Sequence, residues 1–213
     1  MNNARLLLAD DHTLMLQGIR RILEQDFELV GTVSDGRALI AAAQELRPDV
    51  ILLDISMPLL NGIDAAKQIR QLLPETKLIF LTMHKDGDYV MEAFRAGASG
   101  YILKWSAEEE LTAAIRRVLA GKKYLTPLLP QSWIDTHSRR SLNPQAGGCD
   151  LSSREREVLQ LIAEGLSAKQ IAATLNLSSK TVEFHKYRIM HKLGIHTVAQ
   201  LTKYALEHGL TIL

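Results

Sequence analysis

Five short apolar runs constrain this chain more than any other feature: "RLLLA", "ELVGTV", "DVILL", "KLIFL" and "GYIL", each followed by a segment with helical spacing. The first such segment repeats its apolar residues at Leu14, Ile19, Ile22 and Leu23. Most of the runs are continuous rather than alternating, so a strand formed from one of them has no face for water and must be covered on both sides. Strands of that kind separated by helices predict a doubly wound parallel α/β sheet. The last helix of the series, "AEEELTAAIRRVLAG", opens after Ser106, which with Glu109 three residues on predicts a capping box, and stops at Gly121.

At Lys122 the pattern changes. Residues 122–149 are rich in Pro, Ser, Gly and basic side chains and read as a linker, in which "LLPQSWID" can form a short helix. From 150 to 213 only helical signals remain, in four segments that open on Ser or Thr and close on Gly or Asn. The sequence thus predicts an α/β domain over 1–121 and an all-α domain over 150–213. Charge divides at the same place. Residues 1–121 hold 13 Lys and Arg against 17 Asp and Glu, a net of −4; residues 122–213 hold 12 against 7, a net of +5, which returns the +1 of the whole chain. A basic second part suits a polyanionic partner such as nucleic acid. No apolar run nears the roughly 18 residues that span a bilayer, and "MNNARLLLADDH" does not read as a signal peptide. The lone Cys149 has no intramolecular disulfide partner. A cytoplasmic protein is expected.

Parallel sheets of this kind bind ligands at the carboxyl ends of their strands. Asp10 and Asp11 follow the first run, Asp54 the third, Thr82 the fourth and Lys104 the fifth. Three carboxylates gathered there repel one another unless a hard divalent cation sits among them. Magnesium meets that need, since it takes one or two carboxylates, water and phosphate oxygens, and neutralises charge on a transferring phosphoryl group. Asp54 then has the position of a covalent nucleophile.

Asp10-Asp11, Asp54 in "DISMPLLNG", Thr82 and Lys104 together resemble the receiver domain of two-component response regulators over residues 4–121. The resemblance implies a flavodoxin-like, five-stranded sheet of order 2-1-3-4-5. It also implies that Asp54 accepts a phosphoryl group from a sensor histidine kinase. Asp10, Asp11, Asp54 and the backbone carbonyl of Ser56 would hold Mg2+, Thr82 and Lys104 would hold the phosphoryl oxygens, and Tyr101 would be an aromatic switch. Two residues depart from the usual pattern. Met83 stands where a small residue is common, and a narrower approach for water is expected there. Trp105 stands where proline often follows the lysine through a cis bond. His12 and His84, near the same rim, lack metal-ligand spacing and read as loop residues without a role.

In the second part, "LSAKQIAATLNLSSKTVEFHKYRIMHKLG" predicts two helices joined at "NLSS", the outline of a helix-turn-helix. At about 100 degrees per residue the second helix puts Val182, Ile189 and Leu193 on one side. Lys180, Phe184, Tyr187, Arg188 and His191 lie opposite, flanked by Glu183 and Lys192. Exposed Phe184 and Tyr187 make little sense on a merely solvated face. Residues 150–213 resemble the four-helix DNA-binding domain of the LuxR and NarL class through "REREVL", "IAA", "SSKTVEFH" and "IMHKL". That class inserts the third helix into the major groove and pairs two copies through the fourth. Carried over, Lys180, Thr181 and Lys192 lie at phosphate-contacting positions, Glu183, Phe184 and Tyr187 face bases, and Arg188 belongs to the same surface. The implied protein is a NarL/FixJ-type transcriptional regulator, not an enzyme beyond the chemistry of Asp54. Its implied partners are a sensor histidine kinase, double-stranded DNA, a second copy of itself and, as a further candidate, RNA polymerase, with no membrane. Two rivals are a haloacid-dehalogenase-type phosphatase, which needs an acidic residue where Ser56 stands, and a phosphorylation-independent binding protein.

Overall fold

A computed structural model describes residues 4–133 and 151–211, which form two compact units: a sheet covered by helices, and a bundle of four helices. The first unit runs β1 (Arg5–Ala9), α1 (Thr13–Leu23), β2 (Glu28–Val33), α2 (Gly36–Leu46), β3 (Val50–Leu53), α3 (Gly62–Leu72), β4 (Lys77–Thr82), α4 (Gly87–Arg95), β5 (Gly100–Leu103), α5 (Ala107–Leu119) and β6 (Tyr124–Leu125). All strands are parallel, in the order β2-β1-β3-β4-β5-β6. The expected order 2-1-3-4-5 is present, but the expectation of five strands is corrected to six, because Tyr124 and Leu125 pair with Gly100 and Tyr101. The sheet therefore extends into residues assigned to the linker by composition. Cys149 and most of that linker lie outside the described residues, as does the end of the short helix expected at "LLPQSWID".

The continuous apolar runs are buried as their pattern requires, every residue of β3 included. On one face of the sheet Leu6, Leu8, Val50, Leu52, Ile79 and Leu81 pack with Ile19 of α1 and Ile115 of α5. The alternating residues Leu7, Ile51, Phe80 and Tyr101 point the other way and are also fully buried. β2 lies at one edge, and there Glu28 and Thr32 reach solvent. The capping box at the start of α5 does not form. A 3-10 turn over Lys104–Ser106 leads straight into that helix, and the Ser106 hydroxyl donates to the Leu103 carbonyl instead.

The second unit holds α6 (Ser153–Ala163), α7 (Ala168–Leu175), α8 (Ser179–Leu193) and α9 (Val198–Glu207). The expected start signals are realised, because Ser152, Ser167, Ser178 and Thr197 each accept a hydrogen bond from the exposed first turn. Three of them complete capping boxes, with Glu155, Gln170 and Gln200. Asn176 and Gly194 end α7 and α8 in left-handed conformation. Val158, Leu159, Ile171, Val182, Ile189 and Leu201 make the core. Among the described residues no helix is long and apolar enough to cross a membrane.

Candidate functional site

Because the strands are parallel, β1, β3, β4 and β5 all deliver the residues that follow them to one edge of the sheet. Asp10 and Asp54 leave adjacent strands, and the Asp54 N–H donates to the Ala9 carbonyl at 2.9 Å. Both carboxylates are buried. Lys104, also buried, joins them: its Nζ donates to Asp54 Oδ2 at 2.7 Å and to Asp10 Oδ2 at 2.8 Å. Burial opposes the charge on Lys104, but Asp54 and Asp10 outweigh it and raise the pKa of the ammonium above its ordinary value. The other oxygen of Asp54 accepts the Ile55 N–H at 2.6 Å.

Three carboxylates against a single ammonium leave two negative charges in the pocket when none is protonated. One donor atom each from Asp10, Asp11, His12 and Asp54 lies within 4.8 Å of the others. Asp11 Oδ1 is shielded from solvent and accepts no aligned hydrogen bond. The nearby imidazole Nδ1 of His12, at 2.8 Å, bonds Asp10 Oδ1 at 3.1 Å instead. The three carboxylates of this cluster, one with an oxygen that accepts no hydrogen bond, fit a hard divalent cation among them. His12, expected to have no role, thus stands beside the acidic pair.

Thr82 ends β4, fully buried, in register with Leu103, the residue before Lys104. Tyr101 is turned inward and its hydroxyl donates to the His84 carbonyl at 2.8 Å. Burial, with Asp54 adding to it, pushes the pKa of this phenol up, so it remains a donor. His84 is not the solvated loop residue expected of it. It is half-buried, stacked on Tyr89 with ring centroids 4.1 Å apart, and its Nε2 lies 2.9 Å from the Ser56 hydroxyl. Burial lowers its pKa below the ordinary imidazole value, against the opposing pull of Asp54 and Asp86. The only sequence signal for this link was spacing, with His84 two residues past Thr82 and Ser56 two past Asp54. Met83 and Trp105 stand 61% and 53% exposed, and the Lys104–Trp105 bond is trans.

A second candidate surface lies on α8. Val182 and Ile189 are buried and Leu193 half-buried, while Lys180, Glu183, Phe184, Tyr187, Arg188, His191 and Lys192 are exposed, as the helical spacing predicts; Thr181 is half-buried. The Arg188 guanidinium lies over the Phe184 ring, 5.7 Å from its centroid. Glu155 of α6, which sequence reasoning did not single out, is buried beneath this helix, with Lys192 at 2.7 Å and Arg188 at 3.5 Å. Burial alone would raise its pKa, but Lys192 and Ser152 outweigh that and lower it.

Residues 6–116 match the family described as response regulator receiver domain, and residues 150–205 match bacterial regulatory proteins, luxR family. The chain belongs to the response regulators, of the NarL/FixJ type that joins a receiver to a luxR-type helix-turn-helix. It is 40% identical over 213 residues to the oxygen regulatory protein NreC of Staphylococcus aureus, a match covering 97% of this chain and 98% of NreC. Among solved structures it resembles RcsB of Salmonella typhimurium, with 32% identity, complete coverage of both chains and a TM-score of 0.63. An RcsB–DNA complex matches 95% of this chain and 98% of its own at 33% identity and a TM-score of 0.56. The NarL receiver domain of Mycobacterium tuberculosis matches 57% of this chain and all of its own, at 31% identity and a TM-score of 0.55.

Proposed function

We propose that Asp54 is the phosphoacceptor of a two-component system and that its phosphorylation controls DNA binding by the helix-turn-helix of residues 150–213. The observation that carries this reading is the Lys104 bridge between Asp54 and Asp10 in a buried acidic pocket. An Asp54 carboxylate oxygen forms a bond to phosphorus while the bond from phosphorus to the imidazole nitrogen of a kinase phosphohistidine breaks, its electron pair returning to that nitrogen. Lys104 is already directed at Asp54 and supplies a fixed positive charge for the phosphoryl oxygens, and the Thr82 hydroxyl donates to another. Asp10, Asp11, Asp54 and the Ser56 carbonyl are the groups that would hold Mg2+, which supplies charge neutralisation for the transferring group.

Movement of Thr82 toward phosphate shifts the loop that carries His84, whose carbonyl holds the Tyr101 hydroxyl. That gives the switch a two-state element. In the second unit Lys180 and Thr181 are assigned to phosphates, Glu183, Phe184 and Tyr187 to base edges, and Arg188 and Lys192 to the same face while anchored on Glu155. RcsB has been seen on DNA as dimers, which supports the same partner and assembly here. A cytoplasmic site of action follows from these partners, a sensor histidine kinase and double-stranded DNA.

The test is exposure of the folded chain to acetyl phosphate with and without magnesium. Acid-labile phosphate on the wild type but not on Asp54→Ala, and only with magnesium, supports the reading. Equal labelling of the variant refutes it. DNA binding that ignores phosphorylation while labelling proceeds favours the phosphorylation-independent rival.

A further inference from the structure

Glu155 of α6 is 1% exposed, and two cations one helical turn apart on α8, Arg188 and Lys192, converge on it. They are held differently. Lys192 Nζ donates to Glu155 Oε2 at 2.7 Å, and the same oxygen accepts the Ser152 N–H at 2.7 Å, so the ammonium is tied through one atom to the main chain at the start of α6. Arg188 Nε lies 3.5 Å from Oε1, which is buried and accepts no aligned hydrogen bond. The Arg188 guanidinium also rests over the Phe184 ring, and its side chain is 49% exposed against 29% for Lys192.

DNA phosphates would draw on both cations, but the cost of answering differs. If Lys192 left, a carboxylate shut away from water would keep Ser152 and a loose guanidinium, and stranding one member of a buried ion pair costs far more than an exposed ion pair returns. Arg188 has no aligned hydrogen bond on that carboxylate to give up, and its planar fork suits phosphate oxygens. The tie has a geometric effect as well. Because Ser152 holds the carboxylate, the Lys192 link fixes how α8 is turned about its own axis against α6, and that turn decides which way Glu183, Phe184 and Tyr187 face.

We propose that Glu155 sorts the cations of α8: it retains Lys192 as a positioning residue and leaves Arg188 as the one of the two that reaches a DNA phosphate. This rests on α8 being the helix that reads DNA. The phosphate contact that resemblance gives Lys192 becomes an internal tie, which sets the orientation of the base-facing side chains. Releasing Lys192 then adds a phosphate contact and loosens sequence choice.

The full chain is titrated by fluorescence anisotropy, over a salt series, onto a random-sequence duplex and onto a duplex that the wild type has selected from a random pool. Arg188→Ala is expected to reduce the salt slope on the random-sequence duplex by about 1. Glu155→Gln is expected to increase that slope by about 1, while the preference for the selected duplex falls about tenfold. Glu155→Gln combined with Lys192→Met is expected to remove the increase and leave the preference low. The double variant buries no unpaired charge, so it carries the test where a single variant fails to fold. A slope about 1 below wild type in the double variant would put Lys192 on a phosphate from the start and overturn the sorting. Wild-type slope and preference in Glu155→Gln would overturn it too. Wild-type protein that selects no duplex from the pool overturns the DNA reading as well.

Discussion

Gly62 sits directly on the main chain of Asp54: a Cβ added at position 62 would lie 1.9 Å from the Asp54 carbonyl oxygen. The Gly62 N–H also donates to the Ile55 carbonyl at 2.8 Å, so the start of α3 is fastened to the loop that follows Asp54. This explains the glycine of "MPLLNG" by close approach, with no need of an unusual backbone angle.

Gly62→Ala should therefore push the loop after β3 away from the pocket. A loss of about 1–3 kcal/mol in stability, as for other overpacked sites, is expected in urea unfolding. Labelling by acetyl phosphate should fall together with it. Stability equal to wild type with full labelling would show that the loop gives way freely.

Asp11 carries the clearest prediction for the metal. Asp11→Asn removes one of three mutually repelling carboxylates, so in chelator the variant should be at least as stable as the wild type. Magnesium at tenfold over its dissociation constant should add about 1.4 kcal/mol to the wild type and much less to Asp11→Asn. Thermal unfolding with and without magnesium checks this, and equal gains in the two proteins would exclude Asp11 as a ligand.

Glu155 should show itself in the pH dependence of the second unit. Its folded-state pKa is lowered, so its contribution is present above the unfolded value near 4.3 and is lost as pH falls through the folded value. At pH 7 Glu155→Gln should cost about 2 kcal/mol, the scale of a hydrogen bond to a charged group. The gap between variant and wild type should close on going to acid. A constant gap in urea unfolding, followed by circular dichroism, would place the effect in packing and not in the Lys192 pair.

On the outer face of α8, Tyr187 is 68% and Phe184 57% exposed. Tyr187→Ala should thus leave stability unchanged while weakening specific DNA binding about tenfold, or about 1.4 kcal/mol. Lys180→Ala should weaken binding to all sequences alike and reduce the salt slope by about 1. Fluorescence anisotropy across a salt series distinguishes the two, and stability loss in Tyr187→Ala would return that side chain to a packing role.

The sheet and the acidic pocket were legible because their signals are local. Runs such as "DVILL" declare burial on both faces, and Asp10, Asp54 and Lys104 stand directly at strand ends, where parallel topology must gather them. The starts of the last four helices were legible for a similar reason, since Ser and Thr cap the backbone beside them. What escaped depends on distant partners. Two residues after "GKK" carry no strand period, and β6 exists only because Glu110 and the edge of β5 receive it. The Ser106 hydroxyl donates to the Leu103 carbonyl and makes no cap on α5. His84 gains its place from Ser56 and Tyr89, one of them 28 positions away in the chain.

The sixth strand also has a bearing on solubility. A chain stopped at Gly121, where composition places the end of the α/β region, would leave the outer side of β5 with open N–H and C=O groups beside the apolar Tyr101–Leu103 stretch. Bare sheet margins of that sort recruit other strands, and such a fragment would self-associate where one continued through Trp133 keeps its flank sealed.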